Sequence, residues 1–361
     1  MAPVVRALAA HGKAVRSQIC VTAQHRHMLD QVLDLFELRP DVDLDLMRPD
    51  QDLSALTAAV LTGVRATISQ LRPQFVVVQG DTTTTFAASL AAFYEGVPVA
   101  HVEAGLRTGN LLAPWPEELN RRLTSAVATL HFAPTEGARQ NLLREGVPAD
   151  HIHVTGNTIV DALALMTTRL DGQSLERQFA FLDPARRLVV VTAHRRESFG
   201  AGMENICAAI REILCRHPDV QVVYPVHPNP QVREPVERLL GSVGKAQDRL
   251  HLIEPLDYLP FVHLLRRADL LITDSGGIQE EATALGKPVL VMRDVTERPE
   301  AVTAGAARLV GTDVERILAE TKRILGEQGA GSGERGNPTS VFGDGRAGER
   351  IAAAIIRELG R

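Results

Sequence analysis

The sequence predicts an α/β protein built from two doubly wound parallel sheets. Three observations lead there. Short apolar runs recur along the chain, each followed by a stretch with helical apolar spacing, which is the mark of βα units. Titratable residues stand at the ends of those runs, where open α/β sheets place their ligands. The length of 361 residues exceeds one usual domain and suits two of about 150 to 180 each.

In chain order, residues 2 to 11 carry helical apolar spacing and end near Gly12, so the chain opens in a helix with no strand before it. Gln18 to Thr22 is a short strand, with Gln24, His25, Arg26 and His27 after it and a helix from Met28 to Phe36. Leu53 to Leu71 is a long helix leading into the strand Phe75 to Gln79, and a helix from Gly80-Asp81-Thr82 runs through Tyr94. A short strand at Pro98 to Ala100, a strand near Leu130 to Ala133, the helix Glu136 to Glu145 and the strand His151 to Thr155 complete the first half. The second half repeats the plan: strand Leu188 to Thr192, helix Gly202 to Arg216, then strands at Val220 to Val226, His251 to Ile253, Leu270 to Thr273 and Val289 to Met292. After Gln328 the run GAGSGERGNPTS reads as a flexible segment, and Gly345 to Arg361 as a last helix. The expected domains are 1–157 and 158–344, two Rossmann-like halves facing each other across a cleft.

Composition excludes several classes. A net charge of −5 with no dominant basic patch argues against nucleic acid as a partner. No apolar run approaches the ~18 residues of a membrane span and no signal-peptide core opens the chain, so the expected compartment is the cytoplasm. Lysine occurs only at 13, 245, 287 and 322, which leaves little room for Schiff-base chemistry. Cys20, Cys207 and Cys215 lack CxxC spacing and read as reduced core residues, neither a zinc site nor a disulfide frame. Asp41-Val42-Asp43-Leu44-Asp45 contains D-x-D, but so short a pattern does not establish a metal site, and no metal is expected.

The stretch from His101 to Arg122, HVEAGLRTGNLLAPWPEELNRR, gathers three carboxylates, three arginines, a histidine and the only Trp. His101 and Glu103 would sit at the carboxyl end of a strand. Pro116 suits a first helical turn, after which Glu117 and Arg121 lie one turn apart on one face, either as an ordinary solvated pair or as part of a site. Asp81 ends the preceding strand and is either a helix N-cap or a second carboxylate of the same crevice.

In the second half, Thr273-Asp274-Ser275-Gly276-Gly277 turns from a strand into a helix. Free N–H groups at such a start bind phosphate, Glu281 one turn on would reach a ribose hydroxyl, and the alternative is a plain Gly-rich turn. His194, beside Arg195 and Arg196, follows the strand Leu188 to Thr192 and suits a phosphate donor or proton carrier, or else a satisfied structural histidine. His227, in the Pro-rich YPVHPNP, repeats the arrangement at the next strand's end. There is no GxxxxGK[ST] and no G-x-G-x-x-G before a helix, so a P-loop and an ordinary NAD site are both unsignalled.

Seven segments, QGDTTTT (79–85), HVEAGLRTG (101–109), PWPEELNRR (114–122), HRRESFG (194–200), YPVHPNP (224–230), TDSGGIQEE (273–281) and RDVTERPEAV (293–302), resemble the non-hydrolysing UDP-N-acetylglucosamine 2-epimerases of bacteria. The match spans nearly the whole chain in the right order. It implies a GT-B fold, with helix 345–361 packing back on the N-terminal domain. The implied reaction interconverts UDP-GlcNAc and UDP-ManNAc without an added cofactor, by anti elimination of UDP to a 2-acetamidoglucal and re-addition. The implied catalytic set is Asp81, Glu103, Glu117, Arg121 and His194. Asp81, Glu103, His194 and His227 would touch substrate, Ser275, Gly276 and Gly277 the phosphates, Glu281 the ribose, Phe261 the uracil and Arg298 the nucleotide. Gln24 and Arg26 would belong to a second, activating UDP-GlcNAc site. The expected partners are UDP-GlcNAc, UDP-ManNAc and a second copy of the chain, and the product would supply cell-surface polysaccharide. A GT-B glycosyltransferase, a hydrolysing relative releasing ManNAc and an inactive nucleotide-sugar binding protein remain as alternatives.

Two departures stand out. The family usually opens with a strand and a Gly-Thr-Arg-Pro-Glu turn ending in Lys just before the Met-Ala-Pro that is Met1-Ala2-Pro3 here. Because the first strand of a doubly wound sheet is central, the expectation is that roughly fifteen further residues precede Met1 in the gene, and that the chain as given is poorly soluble or nearly inactive. In the tail, the usual Asn-Pro-Tyr-Gly-Asp-Gly is stretched over Asn337 to Gly345.

Overall fold

The computed structural model describes residues 1–23, 26–48, 51–171, 175–327 and 339–360. The chain divides into two compact units, Met1–Ala162 with Phe342–Arg361, and Leu163–Val341. The first division thus falls five residues beyond the expected 157/158 boundary, inside a helix.

In the first unit the elements run α1 (Ala2–Ala10), β1 (Cys20–Val21), α2 (Arg26–Phe36), β2 (Val42–Asp43), α3 (Leu53–Leu71), β3 (Val76–Gln79), α4 (Thr83–Tyr94), β4 (Val99–Val102), α5 (Glu117–Val127), β5 (Leu130–Ala133), α6 (Glu136–Arg144), β6 (Ile152–Val154) and the start of α7 (Thr158–Leu170). Among the described residues β1 and β2 pair with each other, and β3-β4-β5-β6 form a separate parallel sheet. Because side chains alternate along a strand, β3 serves two cores. Val76 and Val78 face the cluster of Leu56, Val60, Val64 and Ile68 on α3 and Ala87 and Ala91 on α4. Phe75 and Val77 face the other, made of Val4 and Leu8 on α1 with Ile351, Ala352 and Ile355. Those last three belong to the final helix, Ala347–Leu359, which packs on α1. Asp161 of α7 fixes its start, accepting the N–H groups of Ala347 (3.1 Å) and Gly348 (2.7 Å), the favourable place for an anion on a helix.

The segment that leaves this unit touches the one that re-enters it. Asn157 N–H donates to the Phe342 carbonyl at 2.7 Å. A Cβ at Gly156, whose φ is +83°, would lie 2.9 Å from Gly343 Cα, so only glycine fits.

In the second unit α7 ends and is followed by β7 (Arg187–Thr192), α8 (Ala201–Arg216), β8 (Val220–Pro225), α9 (Pro230–Leu240), β9 (Leu250–Ile253), α10 (Tyr258–Arg267), β10 (Leu270–Thr273), α11 (Gly276–Ala284), β11 (Val289–Val291), α12 (Pro299–Thr303), β12 (Ala307–Leu309) and α13 (Val314–Glu327); the final helix, α14, is the one already placed in the first unit. All six strands are parallel, in the order β12-β11-β10-β7-β8-β9. Renumbered within the unit this is the 3-2-1-4-5-6 order of a nucleotide-binding doubly wound sheet, whose strand order reverses between β7 and β10. The core beneath it packs Val189, Val191, Val222, Tyr224 and Ile272 against Ile206, Ile210 and Ile213 of α8.

One expectation needs correction. Cys207 is buried, but Cys20 and Cys215 are exposed. Cys20 takes the outward position of a two-residue strand, and Cys215 lies off the buried stripe of α8 that includes Ile210, Ile213 and Leu214. The expected flexible run falls almost wholly on 328–338, outside the described residues.

Candidate active site

In the first unit the acidic groups come from the carboxyl ends of adjacent strands, since β3 and β4 are in parallel register with Gln79 opposite Val102. Asp81 follows β3. It is not the helix cap: Thr82 caps α4, its side chain accepting from Thr85 N–H. That leaves the Asp81 carboxylate free to take an ion pair from Arg121 Nη2. Glu103 follows β4 with φ +65°, a left-handed conformation that costs a non-glycine residue energy and clusters at functional sites. Its Oε2 accepts from Gln79 Nε2 at 3.3 Å.

His101, also at this end of β4, is fully buried and its Nε2 lies 2.8 Å from the Gly80 carbonyl. Burial lowers its proton affinity to a pKa of about 3, so it is a neutral strut between the two strand ends.

Arg121 is itself buried and held from the other side. Of the two readings left open for Glu117 and Arg121, the ordinary i,i+4 ion pair does not form. Instead Arg121 Nη1 donates to Glu118 Oε2 at 3.2 Å, and Glu117, half-buried at the first position of α5, has no hydrogen-bond or ion-pair partner among the described residues. Both i,i+3 and i,i+4 neighbours share a helix face, and here the i,i+3 partner wins because Glu118 is wholly buried. It also accepts from Thr108 N–H (3.1 Å), Gly109 N–H (3.2 Å) and Arg122 Nε (3.3 Å). Glu118 lies in the PWPEELNRR segment, but nothing in its spacing marks it out from Glu117. Arg107, the third arginine of the stretch, turns away to Glu145 and Ser125.

The D-x-D segment spends its charge locally. Asp43 and Asp45 pair with Arg26 at 2.5 and 3.1 Å, and Asp41 accepts from Ile19 N–H. The hydrogen bond from Arg26 holds the Asp43 carboxyl below its ordinary range. Among the described residues no group of three or more His, Cys, Asp or Glu could hold a metal. Arg26 is thus engaged with these carboxylates, and Gln24, its companion in the expected second site, lies outside the described residues.

In the second unit the site residues gather where the sheet reverses. His194 follows β7, and Asp274 and Ser275 follow β10, its neighbour, with Thr192 and Thr273 in register and their hydroxyls 2.6 Å apart. Ser275 stands at the N-cap of α11 with its hydroxyl making no capping bond, and Gly276 and Gly277 open the helix. The His194 and His227 rings stack with centroids 5.6 Å apart at 20°. Burial first, and then His194, lowers the proton affinity of His227.

Glu281 is buried on α11 and accepts from Tyr258 Oη at 2.6 Å. Burial raises its pKa to about 7, with the tyrosine bond opposing. Phe261 sits half-buried one turn along α10 from Tyr258. Arg298 is enclosed: its Nε donates to Glu280 at 2.5 Å, its Nη1 pairs with Glu297, and Glu297 also takes Arg293 at 2.8 Å. A Cβ at Gly276 would run into the Arg298 guanidinium. That glycine is therefore required by a buried ion network as well as by any ligand.

A family model described as UDP-N-acetylglucosamine 2-epimerase matches residues 6–356. The UDP-N-acetylglucosamine 2-epimerases of Yersinia pestis and Escherichia coli K12 are 54% and 53% identical, each over 98% of this chain and 94% of the relative. The crystal structure of UDP-GlcNAc 2-epimerase from Neisseria meningitidis bound to UDP-GlcNAc superposes with a TM-score of 0.94 at 46% identity, over 99% of this chain and 96% of that one. The Methanocaldococcus jannaschii UDP-GlcNAc 2-epimerase in complex with UDP-GlcNAc and UDP gives 0.84 at 33% identity, over 99% and 95%. The expected GT-B class of two Rossmann-like parallel-sheet units holds. Motifs, sheet topology and these similarities agree: the chain belongs to the UDP-N-acetylglucosamine 2-epimerase family, as an isomerase of the non-hydrolysing bacterial type.

Proposed function

We propose that this chain interconverts UDP-GlcNAc and UDP-ManNAc by inverting C2 of the sugar, with no added cofactor. A carboxylate takes the C2 proton as the C1–oxygen bond breaks and UDP leaves, giving 2-acetamidoglucal. Protonation of C2 from the opposite face and return of UDP to C1 complete the exchange. The observation that carries this reading is the pairing at the ends of β3 and β4: Asp81 gripped by a buried Arg121, beside Glu103 in a strained backbone conformation. Inverting a C–H centre needs proton acceptor and donor groups on opposite faces, and Asp81, Glu103 and Glu117 are the available carboxylates, with Arg121 orienting Asp81.

Leaving-group help falls to the second unit. His194 meets the diphosphate, while Ser275, Gly276 and Gly277 offer helix-start N–H groups to the phosphates. Glu281 takes the ribose and Phe261 the uracil, His227 supports the sugar nucleotide, and Arg298 braces the phosphate-binding turn through Glu297 and Glu280. We further place the protein in the cytoplasm as a homodimer that supplies ManNAc units for surface polysaccharide, with Gln24 and Arg26 in an activating UDP-GlcNAc site. UDP-ManNAc converting at full rate with no UDP-GlcNAc added would remove that activating site.

The deciding experiment is incubation with UDP-GlcNAc alone in deuterated water. UDP-ManNAc carrying deuterium at C2 is the expected product. Free ManNAc plus UDP would instead mark a hydrolysing enzyme, and binding without turnover a nucleotide-sugar binding protein.

A further inference from the structure

Asp274 has no exposed surface, and its two oxygens do different things. Oδ2 accepts the backbone N–H groups of His194 and Arg195, both at 2.8 Å, which ties the turn after β7 to the end of β10. Oδ1 lies 3.2 Å from His194 Nδ1 and is otherwise a buried oxygen with no hydrogen bond formed to it among the described residues. A buried carboxylate oxygen left without a donor is costly, and the ring nitrogen facing it is the one group placed to supply that donor. Burial alone would push the Asp274 carboxyl up, but the His194 ring and the two backbone amides outweigh it and hold the group below its ordinary value.

The neighbouring histidine is arranged the other way round. Asn229 N–H donates to His227 Nδ1 at 3.1 Å, so a neutral His227 keeps its proton on Nε2. Of the two histidines, only His194 is in contact with a buried anion.

We propose that Asp274 is a positioning residue for His194: it accepts the Nδ1 proton, fixes the tautomer, and leaves Nε2 as the atom presented to the diphosphate. This rests on the reading of His194 as the diphosphate group. When UDP departs, negative charge grows on the β-phosphate. An imidazole whose far nitrogen donates to a carboxylate can hold or pass a proton there through Nε2, with the carboxylate stabilising the cation. The arrangement also places this histidine at the point where the sheet reverses, the ligand end of such folds.

The Asp274→Asn variant separates positioning from folding. Its amide oxygen can still accept from the His194 and Arg195 N–H groups, but its NH2 then faces the ring and forces the proton from Nδ1 to Nε2. Long-range proton–nitrogen spectra of protein labelled with nitrogen-15 at histidine, with the His194 signals assigned by their loss in His194→Gln, read the tautomer directly. The expected result is a protonated Nδ1 in the wild-type protein and a bare Nδ1 in Asp274→Asn. With UDP-GlcNAc as substrate, kcat should fall by roughly 100-fold or more while KM stays within about threefold, the same exchange in a serine-protease triad reaching about 10⁴. A bare Nδ1 in the wild-type protein, an unchanged tautomer in the variant, or wild-type turnover by the variant would each overturn the proposal. If the variant does not fold, the wild-type spectrum alone decides. If the wild-type protein shows no epimerisation, the spectra still decide the part played by Asp274.

Discussion

Replacing Glu118 by Ala removes the group that holds Arg121 in place, and the structure sets the size of the effect. Four donors lose an acceptor, and they do not count equally. Gly109 is exposed, so water takes over its N–H at little cost. Arg122 is 36% exposed at the side chain, and a pair of that kind is worth about 1 kcal/mol or less. Thr108 N–H is half-buried and contributes about 1 kcal/mol. The dominant loss is at Arg121, 4% exposed at the side chain, because removing one partner of a buried charge costs roughly 3–5 kcal/mol, reduced here by the surviving bond to Asp81. The expected destabilisation is about 3–5 kcal/mol, a midpoint lowered by roughly 10 °C for a unit of this size. Turnover should fall with it, since Arg121 no longer has one fixed position against Asp81. Thermal unfolding by circular dichroism and initial rates on UDP-GlcNAc measure both. A melting point within about 3 °C of wild type, with unchanged rate, would show that Glu118 does not support Arg121.

Three further outcomes follow from the site. Asp81→Asn, Glu103→Gln and Glu117→Gln should each lower turnover by more than ~100-fold with UDP affinity roughly intact, since acid and base groups act mainly in the transition state; a variant that incorporates deuterium at C2 at the normal rate removes its residue from the set. Glu281, raised by burial to a pKa of about 7 against an ordinary 4.5, favours the folded state in its protonated form. That contribution is fully present below pH 4.5 and is lost as pH rises through about 7, by a few kcal/mol in order of magnitude, so denaturant titrations should show a pH slope over this window that Glu281→Gln lacks. Gly276→Ala should weaken UDP binding and lower the melting point together, because the new Cβ meets the Arg298 guanidinium and comes within 2.7 Å of Glu297 Oε1 and neither can swing aside without breaking a buried pair; calorimetric UDP titration of a normally stable variant with normal affinity would contradict this.

The parts of this protein legible in the sequence are those set by local pattern. Strand–helix alternation located most of the sheet, and the residues at strand ends, Asp81, Glu103, His194 and Ser275, lie where that pattern put them. Less legible were contacts between distant segments. Asp274 stands eighty residues from His194, and only the parallel register of β7 and β10 makes them neighbours. Glu118 was hidden for a different reason: two adjacent glutamates offer i,i+3 and i,i+4 geometry to the same arginine, and burial, which the spacing does not encode, chooses between them. β2 and β12, two and three residues long, are too short to carry a periodicity. Arg298 shows the same limit, since its enclosure by Glu280 and Glu297 depends on α11 and α12 meeting.

The contact between Gly156 and Gly343 has a consequence for how such a chain can be cut and rejoined. Seen from the first unit, residues 163–341 form one very long loop whose base is already closed by the Asn157–Phe342 hydrogen bond. Closure entropy grows only with the logarithm of loop length, so the first unit bears little penalty for carrying a whole second sheet as an insertion. Domains with adjoining ends are the ones that tolerate insertion and permutation. The second sheet can therefore be exchanged or separately re-engineered as a cassette, while the first keeps both of its cores.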